Sequence, residues 1–544
     1  MRGIWLFLFV VPFLIGILIV NLFFSTENIP LEQQAQNAIM AGNYIKAERV
    51  YEELIEIAPL NIDFHRSRIR SHFNRPKKIG KGAYRDDETI ALQYATFAST
   101  NHAETSDIGY YGIGHMEVIK GNDDKALFRY LKVKNTKLHY LNNSIGYIYL
   151  TKKYYVIAER YFLKEIEAQG NLSGAYSNLA KVYEASGQED KLIKLLSNTE
   201  AKQYISERVI RHHLLKNGNI KDYSAYAFSL GNVTTTGLVG ALLILAFWIV
   251  FILWVDVYET EKLKHILFAL CLGSGFSMLA TPLYDFYFVT LGWELNGSYL
   301  NDLLYSIFAI GVIEETIKII PFLILLRFTN IINESMDYIV YASVCALGFA
   351  FMENLMYFHQ AGLDDVLSRS VSATILHMAL TSFVAYGLMY GKYKGDINYS
   401  AGYFVFAFIA ACFIHGFYDF WLLSDGWVGE LKFLSLGILY IAVQRYGRAI
   451  TNALNYSEFN TKKGQLIRNS EFLALSLSII AVYQYAAIGY KFGAENANIN
   501  LFMMILNSAF LVFILIEVLG ELNVTKGYWM SILKIKSYEK VGRM

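Results

Sequence analysis

Residues 303–326 read Leu-Leu-Tyr-Ser-Ile-Phe-Ala-Ile-Gly-Val-Ile-Glu-Glu-Thr-Ile-Lys-Ile-Ile-Pro-Phe-Leu-Ile-Leu-Leu. At 1.5 Å per residue a helix of this length crosses a hydrocarbon layer of about 30 Å. Yet Glu314, Glu315 and Lys318 sit near its middle. An ionised group at mid-bilayer costs on the order of 2.5–3.5 kcal/mol on insertion scales. The stretch therefore predicts a membrane helix whose charged side faces other helices, and a functional site in the interior.

The rest of the chain supports a membrane setting. Hydrophobic residues make up 54% of the 544 residues and charged residues 17%, where a soluble domain carries about 25% charge. With 15% aromatics, disorder is excluded. Lys+Arg is 48 against Asp+Glu 47, so the basic balance of a nucleic-acid binder is missing. Cys271, Cys345 and Cys412 all fall in apolar stretches, which leaves no disulfide framework and no Cys-rich zinc site.

Apolar runs place ten spans. The first is Trp5 to Phe24, behind Arg2. It is longer than the 7–15 apolar residues typical of a cleaved signal peptide, and no small-residue cleavage site follows, so it reads as an uncleaved anchor. The others lie near 236–255, 264–290, 303–326, 337–358, 372–391, 401–423, 431–444, 471–489 and 500–520. The 431–444 run is short, and Pro282 and Asp285 predict a break or tilt in 264–290. With the N-terminus in the cytoplasm, the inside segments hold Arg2, Lys262, Lys264, Arg327, Lys392, Lys394, Arg445, Arg448, Lys462, Lys463, Arg468, Lys526, Lys534, Lys536, Lys540 and Arg543. The short outside loops hold only Arg369, Lys432 and Lys491. That bias puts both termini inside and residues 26–225 outside.

Residues 26–225 are soluble in character and they repeat. Gly42, Tyr44, Ala47, Tyr51 and Pro59 set a pattern. Gly121, Ala126 and Tyr130 echo it, as do Lys153, Tyr155, Ala158 and Phe162, and more weakly Gly187, Leu192 and Leu196. The spacing is close to the ~34-residue helix pair of tetratricopeptide repeats. A small residue lets two helices approach, and the aromatic fills the gap to the next pair. Such an α-solenoid presents a face for a protein or peptide partner.

The fold class is therefore all-α: a polytopic membrane helical bundle of about ten transmembrane helices, with an α-solenoid between the first and second spans. The domains are 1–25, an anchor; 26–225, the repeats; 226–450, a membrane core; 451–524, additional membrane helices; and 525–544, a basic cytoplasmic tail.

Four polar motifs fall on consecutive spans of the core. Glu314 and Lys318 are four apart and predict a pair on one helix face, leaving Glu315 free for another role. Glu353 and Asn354 follow on the next span, then His377 with Thr381, then His415 with Asp419. Counted from the outer ends, Glu314 lies about 16 Å deep at 1.5 Å per residue, with Glu353, His377 and His415 shallower. All fit one shared site in the outer half of the membrane. His359, Asp364 and Asp365 read as solvated loop residues, and Asp285 as either lining the site or marking a helix break. Two chemistries suit such a set. A glutamate can take a proton from water while a histidine stabilises the oxyanion or protonates the leaving amine. Alternatively His377, His415 and Glu353 or Glu315 hold Zn²⁺. No HExxH motif and no GxSxG elbow is present. A transporter with a proton relay, or a membrane-anchored scaffold with an inert polar core, uses the same residues differently.

In order and spacing, Glu314-Glu315-x-x-Lys318, Phe349-x-x-x-Glu353-Asn354, His377-x-x-x-Thr381 and His415-Gly-x-x-Asp419 resemble the motifs of the PrsW family of intramembrane proteases, within the CAAX-protease-like membrane enzymes. The resemblance covers roughly 240–450. It implies an intramembrane endopeptidase cutting membrane-anchored proteins, with Glu314, Glu315, His377 and His415 as its catalytic set. It implies that Glu353 and Asn354 bind water, substrate or metal, and that Lys318 and Asp419 orient their neighbours. The preferred reading needs no cofactor, with zinc as the alternative. The expected setting is a bacterial inner membrane with the repeats in the periplasm.

Overall fold

Leu, Ile, Phe, Ala and Val dominate the apolar runs, and in a medium without water only internal backbone hydrogen bonding satisfies such a chain. The runs accordingly form helices. The structure, a computed structural model, describes residues 4–24, 29–75, 78–79, 83–84, 86–231, 233–360, 363, 365–424, 426–460 and 464–532. Asp364, Arg2, Lys462, Lys463, the side chain of His359 and the tail residues Lys534, Lys536, Lys540 and Arg543 lie outside the described residues. The chain divides into two units: Met1–Phe23 with Ala227–Tyr490 and Asn500–Met544, and Phe24–Tyr226 with Lys491–Ile499.

Among the described residues seven helices are long and apolar enough to cross a membrane: Thr235–Val255, Leu263–Leu291, Ser335–Phe358, Val366–Tyr393, Ile397–Leu423, Ser470–Phe492 and Ala494–Leu519. Val10–Phe23 is a shorter apolar helix. Two expected spans differ in form. The 431–444 run becomes the helix Leu434–Tyr456, whose second half holds Arg445, Arg448, Asn452 and Asn455. The 303–326 run becomes Tyr299–Tyr305, a π-helical segment Ser306–Gly311 and Val312–Phe328. The 264–290 run is interrupted at Met278 and Leu279, between Leu263–Ser277 and Ala280–Leu291, ahead of Pro282 and Asp285. Pro282 falls in the first turn of the second piece, where its missing N–H has no partner to lose.

Glycines bring the helices of this unit together. A Cβ on Gly416 would lie 2.3 Å from Ile307 Cα, and one on Gly311 would lie 2.3 Å from the Cys412 carbonyl oxygen. Helix Ser400–Leu423 therefore packs backbone to backbone on the π-helical segment, the close approach that small residues permit in membranes. Such π-helical turns recur at functional sites.

The second unit is a run of antiparallel helix pairs: Tyr44–Ile57 pairs with Leu31–Met40, Asp123–Tyr130 with Ala103–Ile119, Tyr155–Glu167 with Leu141–Thr151, and Glu189–Ser197 with Leu172–Ala185. Gly42, Gly121, Lys153 and Gly187 sit in the tight turns between partners, each at positive φ (70°, 77°, 61° and 68°). Ala47, Ala126 and Ala158 are fully buried. Tyr130 packs where a Cβ on Gly114 would stand, and Phe162 where one on Gly146 would. The less regular 60–120 stretch forms Ile62–Asn74, Asp87–Ser99 and Ala103–Ile119.

Candidate functional site

The site gathers residues from five helices of the membrane unit. Val312–Phe328 supplies Glu314, Glu315 and Lys318 just after the π-helical segment. Ser335–Gln360 supplies Glu353 and Asn354, Ala373–Tyr393 supplies His377 and Thr381, and Ser400–Leu423 supplies His415 and Asp419. Ala280–Leu291 adds Tyr284. Because Gly416 lets its helix touch the π-helical segment, the neighbouring His415 reaches Glu315, with Nδ1 2.8 Å from Oε1.

Lys318 is the centre. Its Nζ, with no solvent exposure, lies 2.7 Å from Glu315 Oε1, 2.8 Å from His377 Nδ1, 3.4 Å from His415 Nδ1 and 3.7 Å from Glu314 Oε2. It also stands 5.0 Å over the Phe349 ring. This corrects the expected division of labour between the two glutamates. Lys318 pairs most closely with Glu315, three residues away, and not with Glu314. Both spacings lie on one helix face, and His415 and Thr381 Oγ1, 3.4 Å from Glu315 Oε2, draw Glu315 inward. Glu315 is fully buried and fully engaged.

Glu314 is the glutamate with reach. Its Oε1 accepts a hydrogen bond from Tyr284 Oη at 2.8 Å, while its Oε2 is buried with no hydrogen-bond partner. That oxygen lies 3.5 Å from His415 Nε2 and 4.0 Å from His377 Nδ1. Asp419 Oδ2 is 3.4 Å from His415 Nε2. Beside these groups lies a cavity of about 290 Å³ lined by Glu314, Glu353, His377, His415 and Asp419. Asn507 and Leu511 of the helix Ala494–Leu519 form part of its wall.

Glu353 and Asn354 are placed differently from expectation. Glu353 Oε2 lies 2.9 Å from His377 Nε2 and 2.7 Å from Arg369 Nη2. Asn354 is buried; its Oδ1 accepts from Arg369 Nε at 2.5 Å and its Nδ2 donates to Thr374 Oγ1 at 3.3 Å. Asn354 thus serves the helix packing around Arg369 and does not line the cavity. The expectation for Glu353 as a metal ligand meets a carboxylate already held by a guanidinium. Asp285 is buried in Ala280–Leu291, and Asp365 Oδ2 takes the Tyr357 hydroxyl at 3.5 Å. Arg369 and Tyr284 are the residues that sequence reasoning missed. Arg369 counted only as a loop cation, and Tyr284 stands in a Tyr-rich chain of 40 tyrosines with no motif around it.

Glu314, His377 and His415 offer ligand atoms that all lie within 4.8 Å of one another. Two imidazoles and a carboxylate with an unpartnered buried oxygen are a donor set that suits zinc. The ammonium of Lys318, 2.8 Å from His377 Nδ1, competes for the same lone pair. The expected metal set of His377, His415 and Glu353 or Glu315 is replaced by one containing Glu314.

Residues 238–444 match the model of the PrsW family of intramembrane metalloproteases. The chain is similar to Protease PrsW of Geobacillus kaustophilus, 25% identical over 195 residues, which is 36% of this chain and 83% of that protein. It is similar to Protease PrsW of Oceanobacillus iheyensis, 28% identical over 161 residues, 30% of this chain and 71% of that protein. A third relative, Protease PrsW of Clostridioides difficile, is 26% identical over 175 residues, 31% of this chain and 72% of that protein. No solved structure matches. The similarity supports a membrane-embedded protease within residues 238–444.

Proposed function

We propose that the chain is an intramembrane endopeptidase that cuts membrane-anchored proteins, and that Glu314 activates the attacking water. The observation that carries this is the unpartnered buried Oε2 of Glu314, set beside two imidazoles at the edge of a cavity. A carboxylate in that state takes a proton from water as the oxygen attacks the scissile carbonyl. Glu353 at His377 Nε2 and Glu315 at His415 Nδ1 accept hydrogen bonds from the ring N–H groups, which leaves His377 Nδ1 and His415 Nε2 as the basic nitrogens near Glu314. The proton that Glu314 takes from water passes on through a facing imidazole nitrogen, His415 Nε2 or His377 Nδ1, to the leaving amine. Lys318, 2.7 Å from Glu315 Oε1 and 3.7 Å from Glu314 Oε2, offsets part of the negative charge of the two glutamates. No covalent intermediate is required.

Glu314, His377 and His415 are the residues that would hold a divalent metal. A metal ion bound there would polarise the carbonyl and acidify a bound water. Lys318 would then have to yield His377 Nδ1.

We further propose ten spans with both termini cytoplasmic, in a bacterial inner membrane. The second unit is a tetratricopeptide-like solenoid in the periplasm that recruits or gates substrate. Its helix pairs and the left-handed turns at Gly42, Gly121, Lys153 and Gly187 support this reading. The test is purified full-length protein in nanodiscs against a panel of single-span reporters, with and without chelator. Cleavage that survives chelation supports the water-activating glutamate alone. Cleavage lost on chelation and restored by zinc supports the metal-assisted form. A panel left intact in the presence of zinc counts against the protease reading.

A further inference from the structure

Arg369 lies on the short helix Val366–Val371, which leads into the helix carrying His377. Of the three basic residues read into the short outer loops, Arg369, Lys432 and Lys491, Arg369 is buried, at 9% exposure. It engages two neighbours of the preceding helix at once: Nη2 makes an ion pair with Glu353 Oε2 at 2.7 Å, without the alignment of a hydrogen bond, and Nε donates to Asn354 Oδ1 at 2.5 Å. The Tyr357 ring, one turn on from Glu353, stacks under it at 4.3 Å. A planar guanidinium can make these contacts together, whereas an ammonium is a point charge on a flexible stem.

The carboxylate so held faces an imidazole. Glu353 Oε2 is 2.9 Å from His377 Nε2, and the other ring nitrogen, Nδ1, is 2.8 Å from Lys318 Nζ. An ammonium has only donors, so Lys318 favours the neutral ring with its lone pair at Nδ1 and its proton at Nε2. A carboxylate has only acceptors, so Glu353 favours the same tautomer, and the two together set it. We infer that Arg369 is a positioning residue: it fixes Glu353 against His377 Nε2 and thereby holds His377 in the tautomer whose Nδ1 faces Glu314 and Lys318. This rests on the proposed reading of the site, in which Nδ1 is the working nitrogen. Outer partners of this kind orient an imidazole whether it acts as base or as ligand.

The test has a readout that does not depend on finding a substrate. In full-length protein labelled with ¹⁵N-histidine, in nanodiscs, the His377 resonances are assigned by their loss in His377→Asn. Wild type is expected to show a protonated Nε2 and an unprotonated Nδ1. Arg369→Gln is expected to give a mixture of tautomers, and Arg369→Lys, which keeps the charge beside Glu353, to restore most of the wild-type pattern. An Arg369→Gln spectrum identical to wild type overturns the inference. If that variant does not fold, Glu353→Gln carries the test, since it removes the acceptor charge and leaves Arg369 in place; an unchanged His377 spectrum there overturns it too. On reporters that wild type cuts, Arg369→Gln should lower kcat about 10- to 100-fold with KM little changed. In a Glu353→Gln background it should add little, because both act through one contact; additive losses overturn the relay. A tautomer shift in a protein that cuts no reporter would leave Arg369 as a positioning residue and reject the protease reading instead.

Discussion

Two inward-facing glutamates of this chain are put to opposite uses. Glu165, in the second unit, is fully buried. Its Oε1 accepts the backbone N–H of Tyr140 at 2.8 Å and of Asn171 at 2.7 Å, and its Oε2 accepts that of Asn143 at 3.0 Å. Both oxygens are occupied, and the charge sits at the start of the helix Leu141–Thr151, where the helix dipole favours it. Glu314, in the membrane unit, keeps one oxygen on Tyr284 and the other unpartnered beside two imidazoles. A satisfied buried carboxylate holds a fold together. An unsatisfied one costs stability and is expected where chemistry needs a free acceptor.

Substitutions sharpen this contrast in order of size. Lys318→Met removes the cation shared by Glu315, Glu314 and both histidines. It should destabilise the membrane unit by about 3–5 kcal/mol, the range for breaking a buried ion pair, read as loss of folded protein in a denaturant titration. Glu165→Gln replaces an acceptor by a donor facing backbone N–H groups. The second unit should lose about 3 kcal/mol, as measured by differential scanning calorimetry. The same change at Glu314 should leave the melting temperature nearly unmoved. Equal thermal losses at the two sites would break the comparison. Gly416→Ala puts a Cβ 2.3 Å from Ile307 Cα. Overpacking of this kind costs about 1–3 kcal/mol, and the displaced His415 should lower cleavage about 10²-fold, visible in reporter assays.

The smallest effect concerns a third set of acids. Asp256 is buried at the end of the helix Thr235–Val255 with neither oxygen hydrogen-bonded. Burial, with Glu334, Asp337 and Glu261 close by, pushes its carboxyl up to about 8, and burial pushes Glu334 up to about 7. Here the unsatisfied oxygens are answered by a proton. Between the ordinary carboxylate range and these raised values the folded chain binds more protons than the unfolded chain, so stability falls as pH rises. The contribution is fully present below about pH 4 and is lost as pH rises through about 7 to 8. The melting temperature should therefore drop from pH 5.5 to 8.5, and Asp256→Asn should flatten that slope. An unchanged slope would remove Asp256 as its cause.

Much of the site was legible in the sequence because charge in an apolar run is conspicuous. Glu314, Glu315, Lys318, Glu353, His377 and His415 all meet, as their positions on consecutive spans predicted. The roles of the two adjacent glutamates were not legible. Lys318 is three residues from one and four from the other, and only the tertiary contact of His415, made possible by Gly416, separates them. Arg369 was hidden by its loop context, since nothing local says that a guanidinium near a span end turns inward. The π-helical segment was also invisible: Ser306–Gly311 is as apolar as any α-helical stretch. In the second unit the turn positions could be read from Gly42, Gly121 and Gly187, and Lys153 adopts the same left-handed turn without being glycine.

The most direct test of the central claim is the reporter cleavage rate of Glu314→Gln in nanodiscs, with its melting temperature measured on the same sample. A water-activating Glu314 predicts a loss of about 10³-fold or more, with melting within a degree or two of wild type. A Glu314→Gln protein that is folded and cuts at the wild-type rate would contradict it.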